Sequence, residues 1–317
     1  MTMQLKIAVV IPVYNGSQYL SQALESLQSQ TLLPYEIIIV DDGSTDGSNE
    51  ILNEWIKRTV GLWNARLIQQ TNSGQSAARN RGVLETSADL IAFLDQDDEW
   101  LPSHLEALNA LFASNNALDW AYSSFAFMDG TGLVTESDVL KVRGYVAPEA
   151  LLSAMLAQNL MMLPTASLVR RSSFAAIKGF DTQFRGYEDD DLFIRLFENG
   201  GRFAFTPEVT VNYRLHTSND SSSGNYSQSR QLFWNKWFEF SLKHPFDITP
   251  FRNRIFADVL GDCVSGIRQG NDEKVASNYH FAIAIVTQGG GTLKQRLLAN
   301  AMRFPSVFKV LTRVRGL

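Results

Sequence analysis

A single cysteine stands among the 317 residues of this chain, and that scarcity excludes two classes of protein. Cys263 alone builds neither an intrachain disulfide framework nor either of the common cysteine-based zinc patterns, so a reducing compartment is expected. Long apolar runs are missing too. The N-terminal stretch MTMQLKIAVVIPVYNG is interrupted by Pro12 and lacks a small-residue cleavage site, and no later run reaches the roughly 18 apolar residues that suggest a membrane span. The stretch is read as a first strand and the chain as cytoplasmic. There is no internal repeat. A net charge of -5 gives no general pull toward nucleic acid, and no such partner is expected. No GxGxxG follows the first apolar stretch and GxxxxGK[ST] occurs nowhere, which argues against a dinucleotide oxidoreductase and a P-loop nucleotidase.

What is present is an ordinary globular composition, 45% hydrophobic and 19% charged, with a regular alternation in its first third. Apolar strands are expected at Lys6 to Val13, Tyr35 to Val40, Ala65 to Gln69 and Leu90 to Leu94. Between them Leu20, Ala23, Leu24 and Leu27 recur at helical spacing, as do Leu52, Trp55 and Ile56. Strand and helix in turn imply an α/β layer architecture with a parallel sheet. From Trp120 the alternation loosens, with AYSSFAF and TASLVRR as candidate strands around a helical segment near Pro148 to Ala157. HTSNDSSSGNYSQS, His216 to Ser229, reads as a mobile loop, and the chain beyond Ser229 reads as helical and aromatic-rich. This places a domain boundary near 220, giving a unit of residues 1–220 and a helical extension of 221–317. After Glu273 every charged residue is basic.

Each early strand runs into a polar junction, where ligands of such sheets gather. LDQDDEW, Leu94 to Trp100, crowds Asp95, Asp97 and Asp98 together. Neighbouring carboxylates repel unless a cation or hydrogen-bond donors compensate, and a hard divalent ion such as Mg2+ or Mn2+ suits them. The alternative is a set of helix-capping acids ahead of His104. DDGSTDGS, Asp41 to Ser48, is either a ligand loop or a turn with caps. SAARNRG carries Arg79 and Arg81, which two residues apart on a helix face different ways, so at most one serves a site. The run Glu188, Asp189, Asp190, Asp191 opens a helix with more acids than capping needs, and one of them suits a general base. Arg214 and His216 close a strand at the mouth of the Ser-rich loop.

In order, VVIPVYNG, IIIVDDGSTDGS, QTNSGQSAARNRG, IAFLDQDDEW, KGFDTQF, the EDxDLxxR run from Glu188 to Arg195, and YRLH closely resemble glycosyltransferase family 2. The resemblance covers residues 5–220. It implies a GT-A fold: a Rossmann-like, mostly parallel central sheet flanked by helices, here followed by the helical extension. It also implies an inverting, metal-dependent transfer of a hexose from a nucleoside-diphosphate sugar, UDP-sugar favoured, to a glycan or lipid-linked acceptor, in polysaccharide or glycan biosynthesis.

By the same resemblance Pro12, Tyr14, Asn15, Asp42 and Gly74 belong to the nucleotide site, with Asp42 on the pyrimidine edge and Arg79 and Asn80 nearby. Asp95, Asp97 and Asp98 form the DxD region, in which Asp97 contacts ribose or metal and Asp98 is the metal ligand. Asp189 matches the catalytic base, with Asp190 and Glu188 beside it, and His216 closes over the diphosphate or metal. Gln96 fills a variable slot. Two other readings compete: a sugar nucleotidyltransferase, which needs a basic glycine-rich loop that VYNGSQYL does not offer, and a non-catalytic sugar-nucleotide-binding scaffold. The basic C-terminal tail, LLANAMRFPSVFKVLTRVRGL, extends the cytoplasmic reading to peripheral contact with the inner face of a membrane. Its alternative is a helix packed on protein.

Overall fold

The computed structural model describes residues 5–149, 151–216 and 225–302. Its first third alternates as the apolar pattern requires: β1 (Ile7–Val13), α1 (Leu20–Gln28), β2 (Glu36–Asp41), α2 (Ser48–Thr59), β3 (Ala65–Gln69), α3 (Gln75–Leu84) and β4 (Leu90–Phe93). Next come β5 (Glu99–Trp100), α4 (His104–Ser114), β6 (Trp120–Asp129), β7 (Val134–Glu136), α5 (Val139–Val142), α6 (Leu152–Leu156), β8 (Ser167–Arg170), α7 (Arg171–Ala176), α8 (Glu188–Glu198) and β9 (Phe203–Leu215). The chain ends in α9 (Asn225–Lys243), α10 (Thr249–Gln269), α11 (Asp272–Gln288) and α12 (Leu293–Ala301).

Two compact units result: Met1–Ala147 with Leu160–Tyr226, and Pro148–Asn159 with Ser227–Leu317. In the first, nine strands form one sheet in the order β3-β2-β1-β4-β8-β6-β9-β5, with β7 on β6. Strands β3, β2, β1 and β4 are mutually parallel, and so are β6 and β9, while β8 runs antiparallel to β4 and β6, and β5 antiparallel to β9. Helices cover both faces of the parallel part, so β1, β2 and β4 are buried along their whole length and show no polar alternation. Only β3, at the edge, is partly exposed. Close approach of α3 to β1 requires Gly82, where a Cβ would lie 2.4 Å from Val10 Cγ1.

The second unit consists of α6 and the C-terminal helices, with an aromatic core in which Trp234 stacks on Phe251 at 5.1 Å between ring centres. Two expectations shift. The helical segment read at Pro148 to Ala157 reduces to the five residues of α6. Asn225 to Ser229, read as loop, already belong to α9; residues 217–224 and the basic tail from Arg303 lie outside the described residues. No helix among the described residues is long and apolar enough to cross a membrane.

Because β1 to β4 are parallel, their carboxyl ends share one edge of the sheet, and the four polar junctions gather there. Pairing of β5 with β9, Glu99 opposite Asn212 and Trp100 opposite Val211, carries the end of β9 past the acidic junction. That register delivers His216 to Asp97.

Candidate active site

The loop after β1 is held by the loop after β2. Asn15 N–H donates to Ser44 Oγ at 3.0 Å, Gly16 N–H to Ser48 Oγ at 2.9 Å and Ser17 N–H to Asp46 Oδ2 at 2.9 Å. Asn15 itself takes the left-handed φ of 49°, and its side chain accepts from Thr45 N–H at 2.8 Å. Burial works against the Asp46 charge, but hydrogen bonds from Ser48 and Ser17 outweigh it and bring that carboxyl down to about 2. The result is a fixed loop that leaves Tyr14 half exposed, while Pro12 stays buried within β1 opposite Val40.

Asp42 is buried and ties down the junction after β3. Its Oδ1 accepts from Gln70 Nε2 and Ser73 N–H, and its Oδ2 from Gly74 N–H, each at 2.8 Å. A carboxylate has about four lone-pair positions, so three donors leave one on Oδ2. Gly74, at φ 92°, turns this loop into α3.

On α3 the two arginines face opposite ways. Arg81 is half exposed and pairs with Glu85 at 2.8 Å. Arg79 is buried: its Nη2 meets Asp95 Oδ1 at 2.6 Å, its Nη1 lies 3.6 Å from Glu188 Oε1, and the guanidinium sits 5.2 Å from the centre of the Phe180 ring. Asn80 spends its amide on the backbone of Phe180, donating to the carbonyl and accepting from the N–H, both at 2.8 Å. Both residues thus hold the 178–180 turn and α8 against the acidic junction.

The three aspartates of that junction take three different partners. Asp95 meets Arg79. Asp98 is buried, and its Oδ1 accepts from Arg214 N–H at 3.0 Å while the Thr165 hydroxyl beside it favours the ionised form. Asp97 is partly exposed, and its Oδ2 lies 2.8 Å from His216 Nε2. Burial, then the charges of Asp97 and Asp95, push the Asp98 carboxyl well above the usual range. Burial also raises Asp95, and Asp97 adds to it, against the opposing pull of Arg79.

Arg214 is fully buried beneath this junction. It donates through Nε to Asp97 O at 2.8 Å and through Nη2 to Gln22 Oε1 at 3.0 Å, pairs with Glu99, and lies 4.6 Å from the centre of the Tyr19 ring. Further below, Trp100 donates Nε1–H to Thr165 O at 2.7 Å and stacks on His104, whose Nδ1 is 2.8 Å from Thr210 Oγ1. Burial pushes His104 down to about 3 and keeps it neutral.

Four acids open α8, and their surroundings separate them. Glu188 accepts from Gly186 N–H at 2.9 Å and faces Arg79. Asp190 is buried and accepts from Leu160 N–H at 3.2 Å. Asp191, fully buried, pairs with Arg195 at 2.7 Å. Asp189 remains partly exposed, and its Oδ1 accepts only locally among the bonds at this helix start, from Asp190 N–H at 2.8 Å. Burial, then the charges of Asp190 and Glu188, raise the Asp189 carboxyl well above its ordinary value.

The structure therefore brings Tyr14, Asn15, Asp42, Gly74, Asp95, Asp97, Asp98, Glu188, Asp189 and His216 to one edge, and turns Arg79, Asn80 and Asp190 inward as struts. Sequence reasoning missed three contributors. Asp46 looked like one turn residue among several, Arg214 had no assigned role, and Gln96 looked like filler. The Gln96 amide in fact accepts from Tyr14 N–H at 2.8 Å and donates to Tyr14 O at 3.1 Å.

The chain is 28% identical over 235 residues to the amylovoran biosynthesis glycosyltransferase AmsB of Erwinia amylovora, covering 72% of this chain and 75% of that protein. It is 29% identical over 273 residues to the uncharacterized glycosyltransferase YwdF of Bacillus subtilis, covering 86% and 95%. The crystal structure of S. aureus TarS 1-349 in complex with UDP-GlcNAc matches with a TM-score of 0.67 at 17% identity, over 98% of this chain and 92% of that one, which shows a shared GT-A fold. A model described as N-terminal domain of galactosyltransferase matches residues 165–219. Residues 8–177, more than half of the sequence, match the model of Glycosyl transferase family 2, and the chain belongs to that family of glycosyltransferases.

Proposed function

We propose that the chain moves a hexose from a nucleoside-diphosphate sugar to an acceptor hydroxyl with inversion at the anomeric carbon, using Mg2+ or Mn2+. The observation that carries this reading is the buried Arg79 guanidinium, which joins Asp95 of the acidic junction to Glu188 at the start of α8. It ties acids suited to a diphosphate and its cation to an acid suited to deprotonating an acceptor.

Asp97 and His216, at the partly exposed rim, are here assigned to the metal, and Asp98, the ligand the resemblance implied, stands buried behind them with Oδ1 on Arg214 N–H. Among the described residues no group of three or more His, Cys, Asp or Glu forms a protein cage for an ion. Mg2+ with a nucleotide needs none, since one or two carboxylates and the substrate's phosphates serve. The pairing of Asp97 Oδ2 with His216 Nε2 at the partly exposed rim, with the buried Asp98 carboxyl behind it, fits such a site. When bound, the ion would neutralise charge on the departing diphosphate.

The general base is Asp189. Glu188, Asp190 and Asp191 are each held by Arg79, Leu160 or Arg195, whereas Asp189 keeps a partly exposed carboxylate whose raised pKa strengthens it as a proton acceptor. Tyr14 offers a ring face to the base, and the remaining position on Asp42 Oδ2 suits a pyrimidine N–H. A UDP-sugar is the favoured donor, in keeping with the UDP-GlcNAc bound by TarS. A role in polysaccharide biosynthesis is in keeping with the naming of AmsB as an amylovoran biosynthesis glycosyltransferase, and a glycan or lipid-linked acceptor belongs to the same proposal. A cytoplasmic site of action, with the basic C-terminal tail on an anionic membrane, belongs to the same proposal.

The test is incubation of the full chain with a panel of UDP- and dTDP-sugars and oligosaccharide acceptors, with Mn2+ or with EDTA. Release of nucleoside diphosphate should stop in EDTA, and proton NMR of the product should show the opposite anomer. Transfer that survives EDTA would remove the metal, and a retained anomer would remove Asp189 as base.

A further inference from the structure

Gln96 lies between two aspartates with separate tasks, Asp95 on Arg79 and Asp97 on His216, and its own side chain reaches a third segment. Its amide exchanges both hydrogen bonds with the backbone of Tyr14, 82 residues away, as a neighbouring strand would. That pairing demands a side chain with one acceptor and one donor at glutamine length. Glutamate lacks the donor, methionine lacks both groups, and asparagine is a methylene shorter.

Gly16 is the matching half of the contact. A Cβ there would lie 2.3 Å from Gln96 Oε1 and 2.5 Å from Cδ. Gly16 is not among the glycines with positive φ. The glycine is therefore needed for the room it leaves to Gln96, not for its backbone freedom.

Resting on the assignment of Tyr14 to the nucleobase and Asp97 to the cation that would accompany the diphosphate, we propose that Gln96 is a positioning residue that sets the distance between these two ends of the donor site. The base end is already fixed to the loop after β2 through Ser44, Thr45, Asp46 and Ser48. Gln96 adds the link from that platform to the acidic junction. A nucleoside diphosphate has a bounded reach from base to β-phosphate, and holding the junction at one distance within it spares the ordering cost of binding, so a junction that can drift loses donor affinity. The base Asp189 is held through a separate strut, Arg79 with Glu188, so removal of the acceptor proton does not depend on the link.

The experiment is titration calorimetry of the full chain with UDP and with dTDP, each with Mn2+, alongside donor hydrolysis at saturating UDP-sugar. Gln96→Met keeps the bulk over Gly16 and removes both hydrogen bonds, and is expected to weaken UDP binding about tenfold, a larger factor than the fall in turnover at saturation. Gln96→Glu should weaken it at least as much. Gly16→Ala should mimic this loss in the native background and add little to Gln96→Ala, whose shortened side chain has vacated the space. Melting temperatures without ligand verify that each variant is folded. Unchanged UDP affinity in folded Gln96→Met, or lost turnover with affinity intact, would overturn the proposal. If the native chain binds neither nucleotide, the nucleotide-sugar reading beneath it falls instead.

Discussion

Replacing Arg79 by methionine tests the frame of the site directly. The guanidinium is 2% exposed and its partners Asp95 and Glu188 are 12% and 15% exposed, so water screens these pairs little. Two unit charges about 4 Å apart at an effective permittivity of 20 attract by about 4 kcal/mol. Desolvation of three ions opposes that gain, but methionine returns only the part due to Arg79 and leaves two carboxylates facing each other. Removing one partner of a buried pair costs about 3–5 kcal/mol, and that range is expected here in a urea titration at pH 7.5. The deficit should depend on pH. Burial already raises both Asp95 and Glu188, with Arg79 pulling the other way. Without Arg79 both rise further, so the folded variant holds their protons more tightly than the unfolded chain does. Its stability then increases as pH falls through the raised values toward the ordinary carboxylate value. The gap to the native protein should therefore narrow between pH 7.5 and 5.5. A deficit below about 1 kcal/mol, the scale of an exposed pair, or one of equal size at both pH values, would refute the argument.

Asp189→Asn should lower turnover by about 10²–10⁴-fold, the scale of general base catalysis, with UDP affinity unchanged by calorimetry. In the native enzyme kcat/KM should fall on the acid side with an apparent pKa above the ordinary aspartate value of 3.8, because the raised Asp189 carboxyl must be ionised to act. His216→Ala should abolish the rise in melting temperature that UDP gains from Mn2+, and a rise equal to that of the native chain would remove His216 from the metal site. His104 titrates near 3 when folded and near 6.5 when unfolded, so its contribution to stability is complete above pH 6.5 and is lost as pH falls below it. His104→Phe should therefore spare about 1 kcal/mol of the loss on going from pH 6.5 to 5.5, read from urea midpoints.

Strands β1, β2 and β4 were legible because burial on both faces makes them nearly continuous apolar runs, whereas Ala65–Gln69, partly exposed at the sheet edge, was placed by the alternation around it. The polar junctions were legible because four of them follow strands with residues that a turn does not need. The sequence did not reveal which acid does what. Asp189 and Asp190 are adjacent and chemically identical; the Leu160 N–H, 30 residues earlier, separates them. Asn80 and Phe180 meet across 100 residues, so a motif on each side gives no sign that one amide joins them. Arg214 collects Gln22, Asp97, Asp98 and Glu99 because β5 pairs with β9, a register that no local pattern encodes. Gln96 was passed over for a different reason: its significance lies in the glycine opposite it, and Gly16 by itself reads as a turn.

Crowding in the acidic junction is tolerated by sending each carboxylate in a different direction. Asp95 turns to a buried guanidinium, Asp98 to a backbone N–H, and Asp97 to a histidine at the exposed rim. The separation is incomplete, since Asp97 still raises both Asp95 and Asp98. The same arrangement that makes the junction costly when empty makes it receptive. A divalent cation beside Asp97 would relieve the repulsion felt by all three acids, so its binding should draw on more charge than the one carboxylate it touches. Neutralising a buried neighbour would forfeit part of that attraction without removing a ligand. Asp98→Asn is therefore expected to weaken Mn2+ binding less than Asp97→Asn does, yet measurably, and the two losses should not add in the double variant. Fully additive losses in a calorimetric Mn2+ titration in the presence of UDP would mean that Asp98 acts as an independent ligand.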